Sequence, residues 1–225
     1  TGLFIAEGHK TVWDMMEYFT PEFLYYTSDY KGNTTANESC EVTYDELKKI
    51  SRLETPQNVL AVFKMQEYNN VAINPDELTL ALDGIQDAGN MGTIIRIADW
   101  FGITDIVCSV DSADCFNPKV IQATMGAIIR VRVHYTDLPQ WLESQRDRGV
   151  NIYGTFLDGK NIYKSEKGSC GVIVMGNEGQ GISPECEKSV THRLYIPPYP
   201  TDNPGSESLN VAIATAITCS EFRRE

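Results

Sequence analysis

The stretch Leu78–Val110, LTLALDGIQDAGNMGTIIRIADWFGITDIVCSV, decides the fold. Leu78–Leu82 is a short apolar run of strand length, closed by the polar, glycine-bearing turn that starts at Asp83. From Asn90 to Phe101 the apolar residues recur at helical spacing, with Met91, Ile94, Ile95, Ala98 and Phe101 on one stripe. Ile106–Val110 is a second apolar run. Strand, helix and strand joined by short turns form a βαβ unit, whose two strands must lie parallel. The alternation continues with a helix at Pro118–Met125, a strand at Ile129–Val133 and a helix at Leu138–Arg148. Strands at Ile152–Phe156 and Val172–Met175 and a final helix at Leu209–Phe222 complete it. Such a series predicts a mostly parallel sheet with helices on both faces.

Upstream lies a shorter alternating segment. Phe4–Ala6, Phe23–Tyr26 and Val59–Phe63 read as strands, and a helix from His9 carries Val12, Met15, Met16 and Phe19 on one side. Asp29–Ser39 is polar and reads as a loop. Thr43-Tyr44-Asp45-Glu46 has the form of a capping box, which opens a helix reaching about Ile50. The polar run Gln66–Glu77, with Asn74-Pro75 near its end, marks a connection. The expected organisation is a small α/β domain over residues 1–68, a linker over 69–77 and a larger α/β domain over 78–225.

Composition narrows the class. The 225 residues are 42% hydrophobic and 22% charged, the balance of an ordinary globular chain. A body of this length buries about 70% of its unfolded surface, so neither metal nor disulfides are needed to hold a core. Six cysteines include no C-x-x-C, and the closest pair is seven residues apart, which suits reduced core thiols in a cytoplasmic protein and no metal site. No apolar run approaches the roughly 18 residues that would span a bilayer. The first residues carry neither a basic leader nor an initiating Met and read as the edge of a fragment rather than a signal peptide. The net charge of −12 weighs against a broad phosphate-binding surface. Any basic strip must therefore be local, and Arg96, Lys119, Arg130 and Arg132 are the expected contributors.

Three constellations carry chemistry. The first runs from Asp83 to Ala98, after a strand and into a helix, where α/β proteins bind ligands. Arg96 falls opposite the apolar stripe and is free to meet an anion, although spacing alone favours a glycine-bearing turn with a solvated arginine. No G-x-G-x-x-G occurs, so a dinucleotide-binding oxidoreductase is disfavoured. In the second, the buried strand Val172–Met175 breaks into Gly176-Asn177-Glu178-Gly179-Gln180-Gly181. These glycines let a ligand approach the backbone, or simply form a turn into a helix begun by Ser183 or Pro184. The third runs from the proline-rich Tyr195–Pro200 to Ser208-Leu209-Asn210-Val211 and an almost wholly apolar helix. Ser208 reads as the N-cap of that helix. Asn210 reads as a first-turn amide in need of partners.

Together these segments resemble the three motifs of the SpoU-type RNA 2′-O-ribose methyltransferases of the SPOUT (α/β-knot) superfamily. Asn90, Gly92, Arg96 and Ala98 match the first motif, and Gly176-Asn177-Glu178-Gly179 with Gly181 the second. Ile196-Pro197 with Ser208-Leu209-Asn210-Val211 matches the third. Phe4–Gly8 and Thr55–Ala61 resemble the family's small L30e-like RNA-binding domain. Two departures stand out. The segment between Pro197 and Ser208 is longer and richer in proline than the usual I-P-M-x-G stretch, and Asn58 stands where glycine is common.

The resemblance implies a parallel-sheet trefoil-knot domain that binds S-adenosyl-L-methionine, and a homodimer whose active site draws on both subunits. The partner is structured RNA, ribosomal RNA being favoured over tRNA. It assigns catalytic work to Arg96, Asn90, Glu178, Ser208 and Asn210. Cofactor contacts fall to Thr155, Gly176, Asn177, Gly179, Ile196, Pro197 and Leu209. A guanidinium is a poor base, so Arg96 is expected to grip a phosphate and stabilise developing negative charge rather than to take the proton. The competing readings are a non-catalytic RNA-binding knot domain and a base methyltransferase on the same scaffold.

Overall fold

A computed structural model describes residues 2–65, 71, 73–200 and 208–224. Asn69, Asn70 and Ala72 of the expected linker, and Gly205 of the proline-rich loop, lie outside the described residues.

The N-terminal region forms β1 (Leu3–Glu7), α1 (His9–Met16), β2 (Phe23–Tyr26), β3 (Glu38–Glu41), α2 (Tyr44–Ile50) and β4 (Val59–Lys64). Its sheet has the order β1-β4-β2-β3, with β4 antiparallel to both neighbours and β3 parallel to β2. The capping box is present at α2, where Thr43 and Glu46 satisfy each other's backbone amides. β3 corrects the expected loop, since Glu38 and Ser39 belong to a strand. It escapes a hydrophobicity reading because it is an edge strand exposed at all four positions, held by backbone pairing alone.

The larger sheet contains β5 (Leu78–Asp83), β6 (Asp105–Ser109), β7 (Arg132–Thr136), β8 (Ile152–Asn161), β9 (Gly171–Gly176) and β10 (His192–Tyr195). Its order is β10-β8-β9-β5-β6-β7, and every pairing is parallel. The connecting helices are α3 (Ala88–Trp100), α4 (Pro118–Thr124), α5 (Leu138–Asp147), α6 (Pro184–Glu187) and α7 (Val211–Phe222). Both faces of the sheet are covered. Leu80, Leu82, Ile106, Cys108, Ile173 and Met175 pack under α3, α4 and α7. Ala81, Val107, Val172 and Val174 face Leu138, Trp141 and Leu142 of α5 and Cys186 of α6. Strands buried on two sides need continuous apolar sequence, which is why β5 and β9 are legible as uninterrupted runs.

Elements also differ from expectation in the larger domain. Residues 127–129 form a 3₁₀ turn rather than strand, and β7 starts at Arg132. Met125 (φ 51°) and Gly126 (φ 87°) turn left-handed and delay the strand. β10 was not anticipated; it is four residues long with Leu194 its one buried side chain. The last helix begins at Val211, and its N-cap is Asn210, not Ser208.

The two halves share one core. Phe4 of β1 stacks on Phe63 of β4 at 5.5 Å and also meets Phe116, beside α4, at 4.8 Å between ring centroids. The void between them, walled by Phe4, Phe19, Phe116 and Ile128, holds only about 10 Å³. A single contiguous cluster of buried side chains runs from Val12 and Leu24 through Phe4 to Ile94 and Ile173.

Candidate active site

β5 and β9 lie side by side, yet the chain leaves β5 towards β6 and leaves β9 towards β10 on the other side. The crevice beyond their carboxyl ends is thus a topological switch point, the position at which open parallel sheets hold ligands. The two loops are tied together there. Asn177 donates from Nδ2 to the Gly84 carbonyl at 2.7 Å, and its Oδ1 accepts from the Gly179 and Gln180 amides at 2.9 and 3.0 Å. Asp83, buried at the end of β5, accepts from the Ser183 amide at 2.6 Å. Asn177 and Gly181 exchange backbone hydrogen bonds of 2.9 Å each way, closing a tight loop around Glu178. A Cβ at Gly176 would collide with the backbone of Gly181 and Ile182, so only glycine permits this closure.

At the start of α3, Asp87 serves as N-cap and accepts from the Asn90 amide at 2.8 Å. The Asn90 side chain is left for tertiary work. Its Nδ2 donates to Glu178 Oε1 at 2.9 Å, and its Oδ1 accepts from Asn210 Nδ2 at 2.9 Å. Asn210 meanwhile caps α7, its Oδ1 accepting from the Ala212 and Ile213 amides at 3.0 and 3.3 Å. Two hydrogen bonds therefore link the three constellations through one residue from each.

This network sits at the edge of a cleft of about 780 Å³, within the usual range for small-molecule sites. All seven expected cofactor contacts, Thr155, Gly176, Asn177, Gly179, Ile196, Pro197 and Leu209, lie on its walls. Of the five expected catalytic residues, Glu178 and Ser208 line it, and Asn90 and Asn210 are bonded to its rim. Ser208 does not cap α7, because the cap position is two residues further on and already filled. Arg96 stands apart. It is exposed on α3, opposite the buried Met91, Ile94, Ile95 and Ala98, with no hydrogen-bond or ion-pair partner among the described residues and no place on the cleft wall.

Sequence reading missed Phe156, Leu157 and Tyr195 of the cleft wall. The Arg193 guanidinium lies 3.6 Å above the Phe156 ring and is ion-paired with Asp158 and Glu187, which stiffens that side. No motif marks these residues; they arrive through the extension of β8 and the unanticipated β10.

The expected basic strip is thinner than its sequence implied. Arg130 is held by Asp99 through two bonds of 2.8 Å, and Arg132 is paired with the buried Asp105. Arg96 and Lys119 are the two of the four without a carboxylate partner among the described residues. Within the same limits, no cluster of metal-ligating side chains occurs, and no helix is long and apolar enough to cross a membrane.

Comparison with known proteins agrees with this geometry. The family model described as SpoU rRNA Methylase matches residues 77–220, and one described as MRM3-like substrate binding domain matches residues 1–61. The chain is 32% identical over 180 residues to the 23S rRNA (guanosine(2553)-2′-O)-methyltransferase RlmP of Bacillus subtilis, covering 80% of this chain and 70% of that protein. It superposes on a putative RNA methyltransferase of the TrmH family from Porphyromonas gingivalis with a TM-score of 0.88 and 40% identity, over 99% of this chain and 90% of the other. An AdoMet-bound rRNA methyltransferase from Sinorhizobium meliloti gives 0.85 and 30%, over 99% and 87%. The expected architecture, a small α/β domain before a parallel-sheet α/β-knot domain, is the one observed.

Proposed function

Since the chain belongs to the SpoU rRNA methylase family, we propose that it transfers the methyl group of S-adenosyl-L-methionine to a ribose 2′-oxygen of structured RNA. Ribosomal RNA is the favoured substrate, by analogy with RlmP, and the cytoplasm the favoured location. The observation that carries the reading is the convergence of three distant segments on one cleft, locked by Glu178–Asn90–Asn210.

The cleft residues fit the donor. Met175, Ile196, Leu209 and Val211 provide apolar walls, and the glycine loop at Gly176–Gly181 lets a ligand lie against backbone. When bound, S-adenosyl-L-methionine supplies an electrophilic sulfonium methyl. The protein holds the loops still through Asn90, which cannot shift without breaking its bonds to Glu178 and Asn210. Arg96 grips the phosphate beside the target sugar and stabilises the negative charge that grows on the attacking oxygen. Holding the reactants in line contributes many powers of ten in rate, so proton transfer to water or phosphate suffices. Because Arg96 is off the wall of its own cleft, it acts in the cleft of a second subunit. The homodimer proposed here is supported by the half-exposed Leu209 and by Ile213 on α7, apolar side chains that a partner would cover. The domain limits 1–68 and 78–225 belong to this proposal, as a substrate-binding part and a transfer part.

Arg96→Ala tests it. Methylation of ribosomal RNA, assayed with labelled donor, should fall at least about a hundredfold, while calorimetric affinity for S-adenosyl-L-methionine stays within a few-fold. Equal loss of both would make Arg96 structural. Nucleoside mass spectrometry of the product separates ribose from base methylation.

A further inference from the structure

A second cleft, of about 630 Å³, opens in the N-terminal domain and shares no lining residue with the first. Four separate segments meet there: the start of α1 at His9, the end of β2 at Thr27–Asp29, the start of α2 at Tyr44, and Gln57-Asn58 leading into β4. Its lining is rich in hydroxyls and amides. Those groups donate and accept in fixed directions without the net positive charge of a phosphate site. One carboxylate, Asp29, is steadied by a hydrogen bond from the Thr27 hydroxyl. Rings are at hand too. Tyr44 is 48% exposed, and His9 stacks on the equally open Trp13 with centroids 6.1 Å apart. Cations flank the cleft rather than fill it. Lys31 donates to the Ser28 carbonyl at 3.1 Å, Lys10 follows His9, and Lys48 lies one helical turn beyond Tyr44.

We propose that this cleft takes an unpaired nucleobase of the RNA substrate. Tyr44 stacks on the base, and the carboxylate of Asp29 with the amides of Gln57 and Asn58 reads its edge. The flanking lysines meet the adjoining phosphates. Flat ligands with dense donor and acceptor edges match such a lining, and single-stranded RNA is recognised in this way. A base with neighbouring N–H donors, as guanine has, suits the two oxygens of Asp29. The proposal rests on the reading of the chain as an RNA methyltransferase.

Tyr44→Ala and Gln57→Ala alter exposed side chains that are neither in the capping box nor near the donor cleft. Each should raise KM for ribosomal RNA roughly tenfold, the size expected of one lost base contact. Neither should change kcat, the KM for S-adenosyl-L-methionine or the melting temperature. Ultraviolet cross-linking of the intact protein to the same RNA, with peptide mapping, should place adducts on the His9 or Tyr44 segment. Unchanged KM for RNA in both variants, with adducts confined to other segments, overturns the proposal. If the unaltered protein methylates no ribose, the functional reading fails by itself, and the cross-link map then decides the cleft independently.

Discussion

Asn210 does two things with one side chain, and the two can be separated. Its oxygen caps α7, and its nitrogen reaches Asn90. Asn210→Ala removes both and should cost about 1 kcal/mol of stability from the lost cap, read by thermal or urea unfolding. Asn210→Ser restores an equivalent cap but cannot span to Asn90. It should recover the stability while donor affinity and turnover stay low. Asp105 offers a pH test. Burial by itself would raise its pKa, but hydrogen bonds from His134 at 2.9 Å and Arg132 at 2.8 Å outweigh that and hold it well below the usual carboxylate range. A carboxyl depressed in the folded state contributes its stabilisation in full above the unfolded value of about 4, and loses it as pH falls through the folded value. Asp105→Asn should therefore be less stable than the parent by about 1–3 kcal/mol at pH 7. The gap should narrow only in strongly acid solution. A gap that did not change with pH would show that the carboxylate charge is irrelevant.

Among elements, α3 joins packing and chemistry most closely. Gly92, part of the first motif, faces α4: a Cβ there would sit 2.5 Å from Ala123 Cβ and 2.7 Å from the Val120 carbonyl oxygen. Its role is close helix contact rather than ligand approach. Gly92→Ala should destabilise by about 1–3 kcal/mol through overpacking, seen as a lower urea midpoint with unchanged slope. The parallel sheet and its helices were legible because strands buried on both faces must be apolar throughout, and because the α3 stripe Met91, Ile94, Ile95 and Ala98 is regular. β3 and β10 were not, since an exposed edge strand such as Glu38–Glu41 carries no periodic signal. Asn90, Glu178 and Asn210, which the structure joins at the cleft rim, were legible through motif resemblance. That Asn210 and not Ser208 caps α7 was not, because both residue types are good caps and they stand two positions apart. The Phe156–Arg193 wall depends on β10 pairing with β8, a contact that local sequence cannot express.

For the whole molecule, the charge balance of −12 and the pairing of Arg130 and Arg132 leave few cations for phosphate. Affinity for RNA should depend on salt, but gently. A log–log slope near −3 is expected, corresponding to roughly four neutralised phosphates per subunit, at Arg96 and the three lysines beside the N-terminal cleft. A flat response would remove electrostatics from recognition, and a slope steeper than about −6 would require a basic surface that the described residues do not form. The shared core around Phe4, Phe63 and Phe116 has a wider meaning. With the halves wedged on common aromatic rings, the polar hollow near Tyr44 and the donor crevice near Gly176 are mounted like the two jaws of a fixed caliper. Choice of target nucleotide then becomes a matter of gauge. On the proposed reading, an RNA is modified where its own folding sets a readable base and the target ribose at the span of the instrument, and one of another span is passed over.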